Sequence, residues 1–153
     1  MKIMDILVKD AVVLNLASKD KNGILQEMSQ ALAAAEPSVS ADGLLQILVE
    51  REGLQSTGIG EGVAIPHGKM AGLDRLMASF ARSAEGVDFD SIDGQPTQLY
   101  FVLVVPEHSG GQHLKALARI SRFFRDSAFR DKLLGAATAE DIFRAIGEED
   151  AKF

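Results

Sequence analysis

The sequence predicts an α/β domain with helices on both faces of a sheet. Stretches with a helical apolar period lie both before and after a group of short β-type runs, an arrangement that buries a sheet between helical layers. Residues 99–105, LYFVLVV, are apolar throughout, as expected of a central strand covered on both sides. No linker, repeat or low-complexity segment interrupts the 153 residues, so 1–153 reads as one domain of ordinary size.

Residues 12–16 read as a short strand. Ser18 can cap a helix whose apolar face holds Ile24, Leu25, Met28 and Leu32, and Pro37 ends it by disfavouring helical geometry in the residue before it. Ser40 starts a second helix to about Glu52, burying Leu44, Ile47 and Leu48. Residues 53–62 are irregular, and 63–65 form an extended piece that delivers Pro66 and His67. Residues 76–81 are a strand and 86–96 a loop, and Pro106 stops the central strand. From Gly111 a long helix offers Leu114, Leu117, Ile120, Phe123 and Phe124 to the core. Two shorter helices follow, capped by Ser127 and Thr138, the last with Glu140 and Asp141 in its first turn. Strand order cannot be read from this pattern.

Composition narrows the function. A formal charge of -6 argues against nucleic acid, whose phosphate backbone needs clustered Lys and Arg. The absence of cysteine removes disulfides, thiolate metal sites and cysteine nucleophiles. Asp5 and Asp10 break the apolar core that a signal peptide needs, and no apolar run approaches a bilayer span. A cytoplasmic protein without membrane insertion is expected.

The segment that stands out is residues 56–69, STGIGEGVAIPHGK, with three alternating glycines and His67 set between Pro66 and Gly68. It is not a nucleotide P-loop: Gly62 and Gly68 enclose five residues where four are needed, and Met70 stands where a hydroxyl should bind magnesium. Nor is it a dinucleotide fingerprint, because Gly58, Gly60 and Gly62 space as G-x-G-x-G and precede a strand. His67, His108 and His113 could be weighed as zinc ligands, but His108 and His113 are five apart and no acidic residue has ligand spacing to them. Beside zinc, which stays open, two readings remain from the residues alone. One is a plain strand end and turn. In the other, the glycines let backbone amides approach an anion, Pro66 fixes the chain that presents His67, and Gly68 keeps the space beside it open.

Glu52, Ile59, Gly60, Val63, Ala64, Ile65, Pro66, His67 and Gly68 fill the places of a longer pattern. It resembles the active-site signature of the mannitol/fructose-type IIA proteins of the bacterial phosphoenolpyruvate-dependent phosphotransferase system, and the element order is similar across nearly the whole chain. Within that family the segment is most similar to the nitrogen-regulatory branch. The resemblance implies a mixed sheet between helical layers (the three-layer IIA type-2 fold) and a phosphohistidine at His67. It also implies that Arg51 and His113 lie near the phosphorylated ring, and it gives His108 no role.

These residue types suit the implied chemistry. A neutral imidazole is a usable nucleophile near neutral pH, and phosphoryl transfer needs positioning and charge stabilisation above all. Arg51 can supply a permanently charged fork, or be a solvated charge between Glu50 and Glu52. His113, near a helix N-terminus, can hold the ring or the phosphate, or be a half-buried helix-face residue. Ser56 and Thr57 offer hydroxyls to the phosphate, or serve as turn residues. The scheme implies no cofactor and no metal. Its donor is an HPr-like histidine phosphocarrier, for which Ile59 and Met70 are the expected apolar contacts and Glu61 the acidic one. Downstream regulatory target proteins complete the expected partners. The alternatives are a IIA component feeding a fructose- or mannitol-type permease, and a non-catalytic regulatory binding module of the same fold.

Overall fold

Most helices begin where a short polar side chain takes up a free amide. The computed structural model describes residues 1–153. Asp20 accepts from Gly23 N to start α1 (Lys21–Ala35), and Ser40 accepts from Gly43 N to start α2 (Ala41–Leu54). Asp126 caps α4 (Ser127–Leu134) and Thr138 caps α5 (Ala139–Asp150), while α3 (Gln112–Phe123) opens at Gly111 without a side-chain cap. Ser40 and Thr138 are the expected caps. At the other two starts a carboxylate next to the first helical residue displaces the expected serine: Ser127 is itself helical, and the Ser18 amide is held by Glu27 Oε1 at 2.6 Å. α1 ends at Ala35, two residues before Pro37.

Five strands make one mixed sheet: β1 (Gly58–Gly60), β2 (Val63–Ala64), β3 (His67–Met70), β4 (Met77–Val87) and β5 (Thr97–Pro106). β5 is central. β4 runs antiparallel to it, and β2 and β3 run parallel to it at Leu99–Tyr100 and Leu103–Pro106 respectively. β2 and β3 therefore lie end to end along the edge of β5 opposite β4, and β1 pairs antiparallel with β2.

β5 divides the core. Leu99, Phe101, Leu103 and Val105 face a cluster completed by Ala116, Ile120 and Phe123 of α3, Phe129 and Leu133 of α4, and Ile142 and Ile146 of α5. Tyr100, Val102 and Val104 face the other cluster, with Ile24, Leu25, Met28 and Leu32 of α1 and Leu44 and Leu48 of α2. Period-two alternation thus gives each face of one strand its own helical layer, which is the three-layer αβα arrangement.

Several expectations need correction. Residues 12–16 form no strand: after a 3-10 turn at Lys9–Ala11, Val13 makes a single parallel bridge to Ala81, and Leu16 N donates to Arg82 O at 2.8 Å. β4 is longer than expected and runs to Val87. Leu114 is 62% exposed, because at about 100° per residue it stands roughly 160° around α3 from Ala116, the buried side. Met70, expected at the surface, is 7% exposed and packs among the α1–α2 core residues.

Candidate functional site

His67 opens β3 directly after a break in the sheet edge. Pro66 has no N–H to give, so interrupting the edge there costs no ladder donor, while its carbonyl still accepts from Leu103 N at 2.9 Å. The residue before it, Ile65, donates its N–H to Thr57 O at 3.0 Å and turns its own carbonyl to the imidazole, 2.7 Å from His67 Nδ1. A carbonyl only accepts, so Nδ1 carries the hydrogen and Nε2 keeps its lone pair. Half-burial of the ring pushes its pKa below the usual histidine value. The bond to Ile65 O works against that shift, Arg51 adds to it, and the charges of Glu52 and His113 act in opposite directions. His67 is thus held neutral near pH 7, with one nitrogen fixed and the other available.

The ring lines a cleft of about 540 Å³ between α2, β3, β5 and the start of α3. Ile47, Arg51 and Leu54 form one wall; their spacing of four and three residues puts them on one face of α2. Arg51 Nη1 donates to Gln55 O at 2.7 Å, which holds the guanidinium at the C-terminal end of its helix. His113 enters from the first turn of α3 with Nδ1 3.1 Å from Gly110 O. The structure therefore brings Arg51, His67 and His113 to one cleft. His108 lines a different and larger one, about 790 Å³, with Asp5, Asp74 and Glu107. That separation gives the three histidines no common ligand set. Size does not decide between the clefts: the smaller holds His67, with Nδ1 fixed on Ile65 O, together with Arg51 and His113.

Other expected site residues lie elsewhere. Ser56 Oγ donates to Phe89 O at 2.7 Å and the Thr57 hydroxyl bonds Glu52, so neither hydroxyl lines the cleft. Ile59 and Glu61 border a separate hollow with Phe124, Arg125 and Arg130, where Glu61 sits 3.6 Å from Arg130. The alternating glycines do form an anion-binding turn, with positive φ at Gly60, Glu61 and Gly62. Its anion is the chain's own Asp93, whose carboxylate accepts from Glu61 N at 3.1 Å. Nor does Gly68 keep an open space: a Cβ there would stand 2.4 Å from Ile47 Cγ2. Leu54, 84% exposed, and Lys69 also line the cleft, and the three-residue spacing of Leu54 from Arg51 along the helix is the sequence signal that points to the first.

Residues 5–149 match the family described as phosphoenolpyruvate-dependent sugar phosphotransferase system, EIIA 2. A nitrogen regulatory protein of Bradyrhizobium diazoefficiens is 40% identical over 146 residues, covering 95% of each chain. The PTS system fructose-specific EIIABC component of Bacillus subtilis is 37% identical over 150 residues, a match spanning 98% of this chain and 24% of that longer protein. The solved structure of nitrogen regulatory protein IIA-Ntr from Neisseria meningitidis superposes with a TM-score of 0.87 at 35% identity, covering 94% of this chain and 98% of that one.

Proposed function

Since the chain belongs to the EIIA 2 family of the phosphoenolpyruvate-dependent sugar phosphotransferase system, we propose that it is a nitrogen-regulatory IIA protein that accepts a phosphoryl group on His67 Nε2. The donor is a phosphohistidine on an HPr-like carrier. The Nε2 lone pair forms the new P–N bond as the bond to the carrier's imidazole breaks, and that electron pair returns to the carrier's nitrogen. Nδ1–H stays on Ile65 O, so the ring is aligned throughout and its developing positive character is stabilised. Arg51 and His113 meet the charge on the transferring oxygens. No metal takes part in this scheme.

The observation that carries the reading is the fixed neutral imidazole beside Arg51 in one open cleft. For the carrier's apolar contact, Leu54 at the cleft wall and exposed Leu114 beside His113 replace Met70, which is buried, and Ile59, which borders another hollow. The family match over 5–149 supports treating 1–153 as one domain. No helix is long and apolar enough to cross a membrane, consistent with the proposed work in the cytoplasm.

The test is intact-protein mass at alkaline pH after incubation with phosphoenolpyruvate, the general phosphotransferase enzyme and its carrier. One phosphoryl group on wild type and none on His67→Ala is the expected outcome. No transfer to wild type, with an active carrier, would leave a non-catalytic binding module. The likeness to the fructose-specific EIIABC component favours one second reading, a IIA unit feeding a permease. Rapid onward transfer to a fructose-type IIB domain would establish it over the regulatory one.

A further inference from the structure

Glu52 has a setting that the transfer scheme leaves unused. Its side chain is 4% exposed, although it follows Arg51 on the last turn of α2. A buried carboxylate persists only when donors surround it. Lys21 Nζ, from the first residue of α1, lies 2.8 Å from Oε2. Thr57 donates its N–H to Oε1 at 3.0 Å, and its hydroxyl to the same oxygen. One side chain thus joins the start of α1, the end of α2 and the residue preceding β1. The turn that it closes contains Gln55, whose carbonyl receives Arg51 Nη1.

The geometry points to Glu52 as a positioning residue for the phosphoryl site. By closing the Glu52–Thr57 turn it fixes the Gln55 carbonyl that orients Arg51, and its negative charge balances the cations around His67. This rests on the reading of His67 as the phosphoryl acceptor. The charged and titratable groups lining the cleft with that ring are Arg51 and Glu50 from α2, Lys69 on its own strand and His113 from α3, and the buried Glu52 of α2 acts on the ring electrostatically. Among them Glu52 raises the basicity of His67, against the lowering by burial, Arg51 and His113.

The experiment compares Glu52→Gln, Glu52→Asp and Thr57→Val, each with Arg51 present and with Arg51→Ala. Glutamine keeps the size but removes the charge and one acceptor; valine removes only the hydroxyl. With Arg51 present, Glu52→Gln is expected to slow transfer from the carrier by about 10- to 100-fold, the scale of a misplaced catalytic group. Glu52→Asp falls between. With Arg51→Ala the same substitution should add little, because the group it positions is gone. An equal fold-loss in both backgrounds overturns the inference. If Glu52→Gln fails to fold, Thr57→Val decides by the same comparison. Two readouts need no carrier: the His67 titration followed by NMR should move to lower pH in Glu52→Gln, and the Thr57 amide should exchange faster. If wild type takes no phosphoryl group the functional proposal fails, and these readouts still judge Glu52; if both stay unchanged, its role is refuted.

Discussion

Replacing Gly68 by alanine tests how tightly α2 is set against the strand that carries His67. The added Cβ would stand 2.4 Å from Ile47 Cγ2. Carbon atoms settle at about 3.5–4.0 Å, so the contact is short by more than ~1 Å. No small adjustment absorbs that distance. Either the Ile47 side chain leaves its rotamer, or α2 moves away from β3 and takes Arg51 with it. Overpacking of this kind costs about 1–3 kcal/mol, which for a chain of this size lowers the melting temperature by roughly 2–4 °C per kcal/mol. The clash has a single named partner. Ile47→Ala removes Cγ2, at a cost of about 1–2 kcal/mol for the apolar area lost, and the Gly68→Ala penalty should then largely vanish. Urea unfolding of the four proteins in this cycle reads the coupling, expected at about 1–3 kcal/mol. Additive penalties would refute the reasoning, since they would place the strain in the strand backbone and not against Ile47.

Three further outcomes are expected. Arg82 is a buried guanidinium whose Nε and Nη1 donate to the carbonyls of Leu14, Leu133, Leu134 and Ala136 without any carboxylate partner; Arg82→Met leaves these acceptors bare and should cost about 3–5 kcal/mol in urea unfolding, a loss under ~1 kcal/mol being the contrary result. The folded pKa of His67 is depressed below that of the unfolded chain, so the unfolded state binds more protons between the two values: this stability term is complete above about pH 6.5 and is lost as pH falls through the folded pKa. Initial rates of phosphoryl acceptance should hold as pH drops past 6.5 and decline only below it; a midpoint above the ordinary histidine value would contradict the burial effect. Finally, Leu54→Asp should raise KM for the carrier, whereas Glu61→Lys, in a separate hollow, should leave it unchanged; the reverse pattern would move the docking surface to β1.

What the sequence made legible was local or strongly periodic. The unbroken run at 99–105 marked a strand buried on both faces, and β5 indeed serves two cores with alternate residues. Ser40 and Thr138 lie immediately before the helices that they cap. What stayed hidden depends on partners far along the chain. Glu52, between Arg51 and Gly53, has the local appearance of a solvated charge; Lys21, 31 positions earlier, makes its burial possible. The glycine turn advertises an anion without saying whose, and Asp93 arrives from a loop 32 residues beyond Glu61. The space at Gly68 is occupied by a side chain from α2, which no local spacing announces.

The electrostatics of the cleft also explain why an arginine, and not a switchable base, suits the place beside His67. Before transfer a fixed positive charge disfavours the imidazolium and so helps burial keep the lone pair free. After the proposed transfer the same charge faces phosphoryl oxygens, and its contribution changes from suppressing a cation to stabilising an anion. One immobile group therefore favours both the reactive and the phosphorylated state. A lysine would give a single mobile charge whose pKa responds to its surroundings, whereas guanidinium stays protonated and presents several donors in one plane. Arg51 can spend Nη1 on Gln55 O and still have N–H groups left for the oxygens. In the proposed transfer, anchoring and charge stabilisation fall to different nitrogens of one side chain, a division that lysine could not make.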